Sequence, residues 1–133
     1  MNRICVFAGS SPGAREEYSL AARDPGRALA HRRIGVVYGG ARVGLMGALA
    51  DTVLTAGGHV TGVIPEGLVT KEIAHEGLTE LRVVASMHER KAMMSRSHYR
   101  AMVLVSSAAD ELLRQFDAYV PPVVEKWIDR AAT

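Results

Sequence analysis

Short apolar runs rich in β-branched residues alternate along this chain with longer segments of helical periodicity. The runs at 4–8, 34–38, 60–64, 81–85 and 101–106 are nearly continuous in apolar character, which predicts strands covered on both faces. Between and after them, 14–31, 45–56, 87–98 and 108–119 read as helices. In the second of these, Leu45, Leu49, Val53 and Leu54 share one face at helical spacing. Gly57 and Gly58 follow directly, where a left-handed C-terminal cap is expected. Pro25-Gly26 conflicts with the first helix, because both residues disfavour a helix interior, and predicts a break or kink there. Strand and helix in this rhythm predict an α/β fold, a doubly wound parallel sheet in three layers.

A length of 133 residues, with 48% hydrophobic and 23% charged, predicts one soluble globular domain spanning residues 1–133. No apolar run approaches the roughly 20 residues that span a bilayer, and 4–8 is too short for a signal peptide. A single cysteine, Cys5, excludes a disulfide framework and suits a reducing, cytoplasmic compartment. Lying in an apolar strand, it is expected to be an unreactive core thiol. A net charge of +2 lacks the basic excess of a nucleic-acid binder, so neither nucleic acid nor membrane is an expected partner.

Two glycine turns follow predicted strands, where a doubly wound sheet binds ligands. One is Gly9-Ser10-Ser11-Pro12-Gly13; the other runs from Gly39 and Gly40 through Gly44 and Met46 to Gly47, leading into a helix. Such turns let backbone amides approach an anion closely, although tight turning and helix–strand packing would place glycines there too. The glycine spacing fits neither the dinucleotide fingerprint nor a P-loop, which needs Lys-Ser or Lys-Thr where Leu45-Met46 stands. Further on, Met87-His88-Glu89-Arg90-Lys91 opens a helix with two adjacent cations. These oppose the helix dipole unless an anion or Glu89 compensates. Ser86 and Glu89 have the spacing of a capping box. Glu72 and Glu76 flank His75 and read by themselves as surface carboxylates. The five histidines show no metal-ligand spacing, and no serine sits in a Gly-x-Ser-x-Gly elbow.

Phe7-Ala8-Gly9-Ser10-Ser11, the string from Tyr38 through Gly47, Val63-Ile64-Pro65 and Met87-His88-Glu89-Arg90-Lys91 occur in that order. Together they resemble the LOG ("lonely guy") family, the cytokinin riboside 5′-monophosphate phosphoribohydrolases, often labelled lysine decarboxylase-like. The resemblance implies a Rossmann-like fold, a homodimer, and hydrolysis of the N-glycosidic bond of a nucleoside 5′-monophosphate without metal or cofactor. By position, Arg90 matches the family's catalytic arginine, and Lys91 and Glu72 match substrate-binding residues. Gly9, Ser10 and the turn containing Gly39, Gly40, Gly44, Met46 and Gly47 match the surrounding nucleotide pocket.

One family hallmark is missing. A Pro-Gly-Gly-x-Gly-Thr-x-x-Glu string, carrying the main phosphate loop and the catalytic glutamate, should follow one strand after the Arg-Lys helix. This chain passes instead from Met93-Met94 to the run at 101–106. A block on the order of 50 residues, the size of two strands with their crossovers, is thus expected to be lacking after about residue 94. The rival to a hydrolase is accordingly a non-catalytic nucleotide-binding or dimerisation module. A pyridoxal phosphate decarboxylase is a weaker rival, since Lys71, Lys91 and Lys126 lack a convincing cofactor setting.

Overall fold

The computed structural model describes residues 3–7, 16–71, 73–96 and 109–120. In chain order they form β1 (Arg3–Cys5), α1 (Glu16–His31), β2 (Gly35–Tyr38), α2 (Gly44–Thr55), β3 (Val60–Pro65), a 3-10 turn (Glu66–Leu68), β4 (Glu80–Val84), α3 (Met87–Arg96) and α4 (Ala109–Ala118). The four strands make one parallel sheet in the order β1-β2-β3-β4. The expected strand at 101–106 lies outside the described residues.

Side chains alternate across the sheet and so divide the core in two. Val36, Tyr38 and Val60 join Leu29 of α1, Leu49 and Val53 of α2 and Leu113 of α4 on one face. Val37, Val63 and Val84 join Met94 of α3 on the other. Helices therefore cover both faces, giving three layers. β2 and β3 are buried along their whole length, as their unbroken apolar runs predict. Each fully buried valine or isoleucine there contributes about 1.5–3 kcal/mol of transfer free energy. β4 corrects that expectation: Leu81 and Val83 are 37% and 53% exposed. Both lie on the sheet face of α1 and α2, and among the described residues of the segment from β3 to β4 only the 3-10 turn is helical, so that segment lays no α-helix over them.

The expected break in α1 is also corrected. A single helix runs through Pro25 and Gly26. Packing against α2 overrides local propensity: Gly26 is buried where a Cβ would lie 3.1 Å from the Leu49 carbonyl oxygen and 3.1 Å from Thr52 Cβ. The end of α2 follows the sequence closely. Gly57 takes φ +77°, and the amides of Gly57 and Gly58 donate to the carbonyls of Leu54 and Val53 at 2.9 and 2.8 Å, closing a Schellman cap. β1 ends at Cys5 rather than residue 8, although the Val6 amide still donates to the Val37 carbonyl at 2.9 Å.

Cys5 packs against the Val37, Val63, Val84 and Met94 cluster. Burial pushes its thiol up to about 11 from 9.0. At pH 8 that lowers the thiolate fraction by about a hundredfold, and the thiolate is the reacting species. Native protein is expected to react correspondingly slowly with Ellman's reagent, and guanidinium-unfolded protein to react at once. Equal rates in the two states would contradict this packing.

Candidate functional site

A cleft of about 560 Å³ opens beside the carboxyl ends of β1 and β2, within the size range of small-molecule sites. Val6 and Phe7 enter from beyond β1, Tyr38, Gly39 and Ala41 from the end of β2, and Val43 and Met46 from the start of α2. Met87, Arg90, Lys91 and Met94 come from α3, and Lys71 from the connection between β3 and β4. The lining thus joins three cations to an apolar, methionine-rich wall.

Arg90 is the best fixed of the cations. α3 starts at an N-terminal cap in which Ser86 Oγ accepts from the Glu89 amide at 3.1 Å. The Glu89 carboxylate accepts from the Ala85 amide at 2.9 Å, one residue before the partner of the usual box. Glu89 thereby also places negative charge at the positive end of the helix dipole. From this first turn the Arg90 side chain crosses the sheet edge. Its Nε donates to the Val63 carbonyl at 2.9 Å and a terminal nitrogen to the Gly39 carbonyl at 2.8 Å. Two of five N–H donors thus orient the planar guanidinium. The contact also accounts for Gly39, since a Cβ there would run into the guanidinium.

The glycine-rich turn is braced from beneath. Tyr38, 1% exposed, donates from its hydroxyl to the Ala41 carbonyl at 3.0 Å. Burial, and then the Asp51 carboxylate, push its phenol well above the ordinary range, so it remains a donor. Beyond the turn, α2 begins without a side-chain cap on its first amides, because Val43 stands at the cap position. Those amides and the helix dipole favour an anion.

Of the residues singled out in the sequence, the structure brings Gly39, Met46, Arg90 and Lys91 to the cleft. Gly40 and Gly47 shape the turn without lining the cleft: the Gly40 carbonyl accepts from the His75 amide at 2.9 Å, and Gly47 packs against the Arg42 carbonyl. Gly44 borders a separate groove with Arg42 and Asp51. Gly9, Ser10 and Glu72 lie outside the described residues. Sequence reasoning missed Lys71, Phe7, Met87 and Met94 as cleft residues. For Lys71 the available signal was its place just after the carboxyl end of β3. Among the described residues, no group of three or more His, Cys, Asp or Glu is gathered as a metal site, and no helix is long and apolar enough to cross a membrane.

Comparison with known proteins adds the lineage. Residues 46–114, just over half of the chain, match the family model described as "Possible lysine decarboxylase". A cytokinin riboside 5′-monophosphate phosphoribohydrolase of Arabidopsis thaliana is 54% identical over 94 residues, which are 71% of this chain and 41% of that protein. One from Rhodococcoides fascians is 53% identical over 93 residues, 69% of this chain and 47% of that protein. The chain thus spans less than half the length of these curated relatives. Among solved structures, the structural-genomics target TM1055 superposes with a TM-score of 0.61 at 25% identity, covering 74% of this chain and 57% of that one. The molybdenum cofactor carrier protein of Chlamydomonas reinhardtii gives 0.62 at 18% identity over 87% of this chain and 72% of that one, a likeness of fold alone. The chain belongs to the family whose model it matches, the LOG family that its motifs resemble, and has that family's Rossmann-like fold.

Proposed function

We propose that the cleft binds a nucleoside 5′-monophosphate, AMP or a cytokinin riboside 5′-monophosphate, and that the protein hydrolyses its N-glycosidic bond. The observation that carries this reading is the oriented Arg90 guanidinium beside Lys71 and Lys91, facing an apolar wall. A phosphate suits the cations, and a flat base suits the methionines and Phe7. The names of the relatives support the same substrate class. In the reaction, the bond from ribose C1′ to the base nitrogen breaks, its electron pair leaving with the base. Water adds to C1′, and its proton balances the departing base, giving free base and ribose 5-phosphate. Positive charge builds on the ribose as the bond breaks, so a carboxylate is wanted beside it.

Arg90 clamps the anionic substrate and, being a cation, stabilises the negative charge that develops on the departing base. Lys91 and Glu72 are assigned to substrate binding, as are Gly9, Ser10 and the 39–47 turn. The reading also takes residues 1–133 as one nucleotide-binding domain, a homodimer working in the cytoplasm without metal or cofactor.

A second reading, nucleotide binding without catalysis, is favoured by one observation: the Pro-Gly-Gly-x-Gly-Thr-x-x-Glu string is absent from the chain. Incubation with AMP, followed by chromatography for adenine and calorimetry for binding, separates the two. Adenine and ribose 5-phosphate released in equal amounts are expected for the hydrolase. Binding without release would leave the module, and neither binding nor release would defeat both. An intact mass near 14.3 kDa on the same sample would tie the result to this chain.

A further inference from the structure

The loop that brings Lys71 to the cleft is held in a way the chemistry of the cleft does not require. His75, on the same loop, is 6% exposed, yet both ring nitrogens are satisfied. Nδ1 accepts from the Gly77 amide at 3.0 Å, and Nε2 lies 2.8 Å from Asp51 Oδ1 on α2. An acceptor Nδ1 leaves the proton on Nε2, so Nε2–H donates to the carboxylate. Around this pair the loop backbone is laced to the glycine-rich turn. The Arg42 amide donates to the Ile73 carbonyl at 2.9 Å and the His75 amide to Gly40 at 2.9 Å, and Ala41 and Ala74 form an antiparallel bridge. Within this lacing, two residues after Lys71, Ile73 is held at φ +50°, a left-handed conformation strained for a β-branched residue. Strain of that kind persists only where the surroundings over-determine it.

We propose that His75 is a positioning residue, whose clasp on Asp51 locks the strained loop carrying Lys71 against the glycine-rich turn and so sets the cation side of the cleft. This rests on the nucleotide reading of the cleft. The backbone lacing joins the loop to the glycine-rich turn only. The Asp51 contact ties them to the body of α2, a rigid element that starts at the turn itself.

The test compares Asp51→Ala, Asp51→Asn and His75→Ala in the full chain by amide exchange and by AMP calorimetry. Asn keeps a side-chain oxygen to accept from Nε2. Asp51 is 64% exposed at its side chain, so its replacement leaves the core intact. With Asp51→Ala and His75→Ala, exchange at the backbone amides of residues 42 and 75 is expected to quicken at least tenfold, and AMP affinity to fall about tenfold. Asp51→Asn is expected to stay within twofold on both. Unchanged exchange at those amides would overturn the clasp. Quickened exchange with unaltered affinity would reduce His75 to a structural residue and overturn its positioning role. Wild-type protein that binds no AMP would defeat the nucleotide reading instead, while the exchange comparison still decides the clasp.

Discussion

Replacing Arg90 by alanine is expected to abolish adenine release and to weaken AMP binding by about 10–100-fold. Hydrogen bonds to charged groups contribute about 1.5–3 kcal/mol, and each 1.4 kcal/mol is a factor of ten. The sequence by itself suggests that such a variant would keep its fold untouched. The structure revises this, because the same side chain donates to the Val63 and Gly39 carbonyls. Depriving part-buried acceptors of a donor costs about 1–3 kcal/mol, so a fall of several degrees in melting temperature is expected as well. Calorimetry well below the midpoint separates the two effects. Gly39→Ala provides an independent arm: it keeps the arginine but drives a Cβ against its guanidinium. It should therefore weaken AMP binding in the same direction. Undiminished binding and turnover in Arg90→Ala would remove Arg90 from the site.

Gly47→Ala is expected to destabilise the protein by about 1–3 kcal/mol, the usual cost of forcing extra volume into a packed site. Propensity argues the other way. Gly47 lies inside α2, where alanine is favoured over glycine by roughly 1 kcal/mol. Geometry decides the sign. The added Cβ would meet the carbonyl oxygen and carbon of Arg42, which are backbone atoms and cannot swing aside as a side-chain tip can. Relief requires the turn to move off the helix start, and the Arg42–Ile73 hydrogen bond moves with it. A urea titration reads the loss as a shift of the midpoint. A midpoint unchanged or raised would mean that the turn and α2 are less closely packed than described.

Local physics explains why so much of the fold was legible. The runs at 34–38 and 60–64 became β2 and β3 within one residue at each end, because a strand buried on both faces is nearly continuous in apolar, β-branched residues, with Thr61 the one polar side chain in the two. The end of α2 was legible because a left-handed cap needs no information beyond Gly57 and its neighbours. Ser86 and Glu89 were readable as a cap for the same reason. The mistaken expectations were those that depended on contacts between distant segments. Pro25-Gly26 stays inside α1 because α2 packs against it, and Leu81 and Val83 are half-exposed because, among the described residues, the connection from β3 to β4 lays no α-helix over that face.

The site divides along the same line. Residue types and order alone pointed to an α/β sheet, to Arg90 and Lys91 at a helix start and to a glycine turn that leads into a helix, because each is a property of a few consecutive residues. Only the tertiary structure could join Arg90 to Gly39 across an |i−j| of 51, bring Lys71 into the same cleft, and set His75 against Asp51 across 24. Such pairings depend on which strand lies beside which and how the connections fold back over the sheet. That choice is made by burying the whole core at once, and no short window of sequence contains it.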